Sequence, residues 1–157
     1  MNYEETINKV ENFMVKSGIR EFCTEVCQGY CCGNCYNSKN ACHRNEGRRL
    51  SCSVFLCANL RNLIFSSHAN MKAYIEMERV IIHKLSEILV AGKNPYIDIC
   101  RHPHNKESRN KFSIDGKSLD ILDKINLEEI KNKLRAIRNI HIVSSRFLMQ
   151  KLSKHME

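Results

Sequence analysis

Residues 67–91 read SHANMKAYIEMERVIIHKLSEILVA, and this stretch decides the fold class. Many of its apolar residues recur three and four positions apart, which is the spacing of one face of an α-helix. The stripe comprises Met71, Tyr74, Ile75, Ile81, Ile82, Leu85, Ile88 and Leu89. Gly92 lies shortly after these residues and is a suitable helix stop. We therefore predict a long helix that buries one wide face.

The sequence on both sides of this stretch has the same helical periodicity. Helices are predicted over residues 3–17, 51–65, 118–125 and 127–152, with a linker over 93–117. Gly18 is a stop signal for the first helix, and Asn126 with Glu129 is close to a capping box at the start of the last. No stretch has a convincing strand pattern, so the predicted fold class is all-α, a helical bundle.

A cysteine-rich segment interrupts this pattern after the first helix. Residues 22–35 read FCTEVCQGYCCGNC and contain five of the nine cysteines. The eight N-terminal cysteines are Cys23, Cys27, Cys31, Cys32, Cys35, Cys42, Cys52 and Cys57. Glycine and asparagine lie among them, so residues 21–49 predict irregular backbone with helical turns at most. We expect one domain over residues 1–157, in which a metal-organised lobe at 21–60 is inserted beside a helical part at 67–157.

The spacing of these cysteines is typical of metal ligands. Cys32 and Cys35 form a CxxC pair, whose two thiolates can reach one ion from a tight turn. Cys27 extends this pair to C-x4-C-x2-C, one of the spacings that iron–sulfur clusters use. Cys23, Cys27 and Cys31 are four residues apart, so a helical turn would stack them on one face. Zinc sites and iron–sulfur clusters both take four ligands, and spacing alone does not choose between them.

Three interpretations of the cysteines stay open: metal ligands, buried inert thiols and a disulfide framework. The N-terminal residues do not resemble a signal peptide, so we expect a reducing cytoplasm, where dense cysteines favour metal binding. The irregular gaps and the single CxxC favour an iron–sulfur cluster slightly over zinc. We expect four cysteines to carry each centre, and the strongest ligand predictions are Cys27, Cys32, Cys35 and Cys52.

Residues 22–57 resemble a known family. The run F-C-x3-C-x3-C-C is similar to the F-x-C-x2-C-G-x-C-C opening of the YkgJ-like family, described as a zinc- or iron-chelating domain. That family continues with a cysteine, an arginine and a C-R-x-F motif, often followed by a further cysteine. The matching residues here are Cys42, Arg48, Cys52, Phe55 and Cys57. The early cysteines are spaced more widely here, and Arg49 and Ser53 depart from the family pattern. The resemblance implies metal binding by this segment.

Two further groups of residues carry chemistry suited to a site. Cys100, His102 and His104 alternate in CRHPH, so extended backbone would put all three on one face. A solvated loop is the favoured interpretation, although one of the three could complete the N-terminal site. Four arginines surround the later cysteines: Arg44, Arg48, Arg49 and Arg61. They could bind phosphate or offset the negative charge of thiolates.

The net charge of the chain indicates which kinds of partner it could bind. The formal net charge is +8 and the pI is about 9.1, which suits an anionic partner: nucleic acid, an acidic protein or a membrane surface. A lysine-rich surface that only keeps the protein in solution is an equal alternative. No stretch approaches the roughly 20 apolar residues that span a membrane. Two alternative functions stay open: a zinc-stabilised nucleic-acid-binding or regulatory module, and a thiol redox or metal-transfer enzyme that uses Cys31 and Cys32. The sequence does not decide whether there is catalysis, nor the oligomeric state.

Overall fold

The computed structural model describes residues 1–25, 50–89 and 109–139. Most of these residues are helical, and none of the described residues belongs to a strand, so the all-α fold class is confirmed for this part of the chain. One isolated antiparallel bridge joins Asn2 to Ser113. Within the same ranges, no helix combines the length and the apolar character that crossing a membrane requires.

The helices are labelled in chain order. They are α1 (Tyr3–Lys16), α2 (Ile19–Glu25), α3 (Leu50–Val54), α4 (Ala58–Ile64), α5 (His68–Leu89), a 3₁₀ helix (Gly116–Leu119), α6 (Ile121–Lys124) and α7 (residues 127–139). α1 packs against both α2 and α3, while α5 packs against α3, the 3₁₀ helix and α6. α3 therefore lies against both α1 and α5, and the buried apolar side chains of the described residues form one core.

The boundaries of α1 follow from its terminal residues. Asn2 Oδ1 accepts the Glu5 amide at 2.8 Å, and the Glu5 carboxylate accepts the Asn2 amide at 3.3 Å, which completes a capping box. At the other end Gly18 has φ +83°, a left-handed conformation that side chains rarely adopt. The predicted stop at Gly18 is confirmed, because the helix ends at Lys16 and Ser17 caps it.

Tyr74 of α5 lies at the centre of the core. Its ring lies 6.3 Å from that of Phe13 and 5.5 Å from that of Phe65, measured between centroids. Its hydroxyl donates to the Val54 carbonyl at 2.7 Å, which ties α5 to the end of α3. The other large, fully buried side chains include Met14, Ile19, Leu50, Ile64, Met77, Ile81, Leu85, Phe112, Leu119 and Ile130.

The single helix predicted over residues 51–65 is wrong, because the structure has two short helices there. Cys57 has extended backbone (φ −63°, ψ 152°), and its Sγ accepts the Leu60 amide at 3.4 Å as the N-cap of α4. This break rotates the two halves of the predicted apolar face relative to each other. Phe55 and Leu63 are consequently 43% and 51% exposed, although Leu56, Leu60 and Ile64 are buried as predicted.

The remaining predictions divide between confirmed and corrected. In α5, Tyr74, Ile81, Ile82 and Leu85 are buried as predicted, but Ile75 is 37% exposed and Met77 is buried instead. The predicted linker contributes Phe112 and Ile114 to the core. The helix predicted over 118–125 is a 3₁₀ helix followed by α6. Asn126 caps α7 as predicted, since its Oδ1 accepts the Glu129 amide at 3.2 Å.

Candidate metal centre

The structure describes three of the eight predicted ligands, Cys23, Cys52 and Cys57. The other five, together with the CRHPH residues, lie outside the described residues: Cys27, Cys31, Cys32, Cys35, Cys42, Cys100, His102 and His104. Within the three described ranges, no group of three or more His, Cys, Asp or Glu side chains could hold a metal ion. The structure therefore describes the proposed site only through the helices that carry Cys23, Cys52 and Cys57.

Each described cysteine lies at the margin of the core. Cys23 is half-buried in α2. The irregular backbone predicted over residues 21–49 is wrong for residues 21–25, because they belong to this helix. Cys52 is half-buried in α3, whose other four residues are all buried. Cys57 is half-buried as the cap of α4. Cys23 and Cys57 also pack against apolar core residues.

A partly buried polar network joins the two helices that flank the cysteine-rich segment. Glu11 of α1 accepts both Arg20 of α2, Nε to Oε2 at 3.2 Å and Nη2 to Oε1, and the hydroxyl of Ser53 in α3, at 2.5 Å. Arg20 Nη2 also donates to the Ser53 carbonyl at 3.3 Å. Three helices thus meet at one carboxylate. Arg20 lies one helical turn before Cys23, and Ser53 directly follows Cys52.

A second contact holds the beginning of α3. The Tyr3 hydroxyl accepts the Leu50 amide at 2.9 Å, and both residues are buried. The Tyr3 ring meets the Phe112 ring edge-on at 5.7 Å and carries the Arg109 guanidinium 4.8 Å from its centroid. Since the first amides of a helix have no partner within the helix, Tyr3 supplies one from α1.

The end of α2 is held by α7. Arg138 pairs with Glu25, and with Glu21 at 3.8 Å. At the beginning of α2, a Cβ added to Gly18 would lie 3.8 Å from side-chain atoms of Lys131 and Leu134, so the turn between α1 and α2 runs close to α7. The helix that carries Cys23 therefore lies close to α7 at both of its ends.

A partly buried charge pair lies near Cys57 along the chain. Arg61, one turn along α4, approaches Glu78 of α5, with Nη1 and Oε2 3.8 Å apart. Burial raises the pKa of the Glu78 carboxyl, and Arg61 offsets part of that rise. Burial also raises the pKa of Tyr74 well above its usual value of 10.0, and the Glu78 charge adds to this. Arg61, predicted as a cation for phosphate or thiolate, thus has a carboxylate partner.

The donor set and its surroundings fit a soft metal. Thiolates select zinc, copper(I) and iron–sulfur clusters over the hard cations. Beside Cys52 the hydroxyl of Ser51 is buried, and its oxygen has no hydrogen-bond partner among the described residues.

Sequence reasoning missed the residues that support these helices, namely Tyr3, Glu11, Arg20, Ser53 and Glu78. Their partners lie far away along the chain, and no local sequence spacing predicts these contacts. Comparison with known proteins does not place the chain, because no family model, curated protein or solved structure matches it. The resemblance to the YkgJ-like family therefore stays a prediction.

Proposed function

We propose that this protein binds a metal centre through cysteine thiolates, an iron–sulfur cluster in preference to zinc. The ligands come from the eight cysteines between residues 23 and 57, with four for each centre. In this proposal the cysteine-rich segment forms a metal-organised lobe on the all-α bundle.

One observation carries the proposal: α1 holds both ends of the cysteine-rich segment. The Glu11 carboxylate joins α2 to α3, and Tyr3 holds the first residue of α3. A metal centre must gather ligands that are distant in sequence, at about 2.3 Å for each zinc–sulfur bond. The entropy cost of closing the loop between them falls when its ends are already held together. Cys23 and Cys52 stand at these two ends.

The surroundings of the described cysteines suit the same role. Each is half-buried, and Cys23 and Cys57 pack against the apolar core while part of their surface stays exposed. Binding would require deprotonation of the thiols and would couple the lobe's folding to the metal. A bound iron–sulfur cluster supplies one-electron redox chemistry, whereas four-thiolate zinc supplies structural stability.

The test is metal analysis of protein purified without oxygen, together with its absorption spectrum. We expect either iron with acid-labile sulfide or zinc, in a fixed ratio to the chain. Cys35→Ser and Cys52→Ser should each lower the metal content strongly, because serine is a poor ligand for a soft metal. Cys100→Ser is the matched control and should leave the content unchanged, since eight cysteines suffice without it. Wild-type protein with stoichiometric disulfides and no metal would refute the proposal.

The anionic partner stays a prediction from the net charge of +8. If the partner is nucleic acid, log affinity should fall linearly with log salt concentration, because bound phosphates release counterions. A binding curve that does not change with salt concentration would exclude that partner class.

A further inference from the structure

We infer that Arg20 is a positioning residue for the proposed centre, acting through Glu11 and Ser53 to set how the helices bearing Cys23 and Cys52 sit against each other. This inference rests on the proposed function, because it concerns how two of the proposed ligands are held. Neither Arg20 nor Glu11 is a proposed ligand, and neither was singled out by the sequence.

The contacts of Arg20 span all three helices. Its guanidinium binds the Glu11 carboxylate through Nε and Nη2, and Nη2 also reaches the backbone of Ser53. The Ser53 hydroxyl completes the arrangement by donating to the same carboxylate. The side chains of Arg20 and Glu11 are 17% and 27% exposed, so the pair is largely shielded from solvent. A shielded two-point contact fixes direction as well as distance.

The contacts of Arg20 lie close in the chain to Cys23 and Cys52, so they can affect how these two cysteines are placed. Arg20 and Cys23 are three residues apart in a helix, so they lie near the same face of α2. The carbonyl that Arg20 binds belongs to the residue after Cys52. A change in the Arg20 contacts would therefore shift α2 against α3, and with it one cysteine against the other. Lysine cannot replace this geometry, because it offers a point charge instead of a planar fork.

The experiment compares Arg20→Gln and Arg20→Lys with wild type in the full-length, metal-loaded protein. The probe is the metal that purifies with the chain, and the measurement is the chelator concentration that removes half of it without oxygen. Loss of a residue that orients metal ligands typically weakens metal binding about 10–100-fold. We expect Arg20→Gln to lower the half-removal concentration by about that factor, and Arg20→Lys by less. The thiolate-to-metal absorption bands should shift in both variants.

Arg79→Gln is the matched control, because Arg79 also pairs with a glutamate but is 71% exposed on α5. It should leave both the half-removal concentration and the absorption bands unchanged. If Arg20→Gln does not fold, the same measurement is made on two other variants. Arg20→Lys keeps the positive charge, and Ser53→Ala keeps the backbone carbonyl that accepts from Arg20.

The outcomes separate this inference from the proposed function. Wild-type protein that purifies without metal refutes the proposed function, and the inference falls with it. Metal-loaded wild type with unchanged half-removal concentration and bands in every folded Arg20 and Ser53 variant refutes the inference alone. A lower thermal midpoint in those variants, without any change at the metal, would show a purely structural role and would also overturn it.

Discussion

Replacing Tyr3 by phenylalanine removes one oxygen atom and should loosen the beginning of α3. The Tyr3 hydroxyl is the acceptor of the Leu50 amide at 2.9 Å, and both residues are at most 2% exposed. The variant keeps the ring and its contact with Phe112 but leaves that amide buried without its acceptor. A buried polar group deprived of its partner costs about 1–3 kcal/mol. For a chain of this size, that corresponds to a fall in the midpoint of thermal unfolding of roughly 2–12 °C.

The assay is urea unfolding followed by circular dichroism, combined with hydrogen exchange at the Leu50 amide. Tyr74→Phe is the matched control, because it also removes one buried hydroxyl from the backbone of α3, at the Val54 carbonyl. Both variants should lose comparable free energy of unfolding, since each breaks one buried hydrogen bond. Only Tyr3→Phe should speed exchange at Leu50. The reasoning fails if Tyr3→Phe loses less than about 0.5 kcal/mol and exchange at Leu50 is unchanged.

Three further predictions concern the core, a buried carboxyl and the metal. Ile82→Ala should cost about 2–5 kcal/mol of unfolding free energy, and Ile75→Ala on the same helix clearly less, because Ile75 is 37% exposed; equal losses in urea unfolding would contradict this. The raised pKa of Glu78 means that the folded state binds its proton more tightly, so its stabilisation is greatest at low pH and falls as pH rises above about 4.5. Glu78→Gln should remove that fall, and identical pH profiles of stability would contradict it. Removing the metal with a chelator should speed hydrogen exchange in the cysteine-rich segment between α2 and α3 but not in the centre of α5, and unchanged exchange in that segment would contradict the coupling.

The parts of the fold that the sequence predicts well are those whose physics is local. The cap that Asn126 forms on the Glu129 amide spans three residues, and the stop at Gly18 depends on one residue's backbone freedom. The stripe of α5 extends along most of a 22-residue helix, so the wrong assignment of Ile75 and the omission of Met77 leave the helix prediction intact. Over such elements the periodic burial of apolar residues is enough to fix both type and approximate bounds.

The missed features depend on contacts between distant residues. Nothing near Phe112 predicts its burial, because it is buried against Tyr3 of α1. The break at Cys57 divides the predicted continuous apolar face into two shorter ones. The sequence does not predict this break, because a thiol is an uncommon N-cap. The Glu11 network is non-local in the same way, because its contacts to Ser53 join residues 42 and 33 positions apart. Cysteine spacing predicts the chemistry of a site, but it carries no information about the side chains that orient it.

The same distance along the chain explains why α1 matters to the proposed centre. Bringing Arg20 to Ser53 closes a loop of 33 residues, at an entropy cost of about 3 kcal/mol beyond a constant. Leu50, Val54 and Met14 are fully buried, and burying a side chain of this kind stabilises by about 1.5–3 kcal/mol. The apolar contacts of α3 with the bundle can therefore offset the closure cost without help from a metal. Because those contacts hold the ends of the segment, the binding free energy of a metal would serve to order the residues between them.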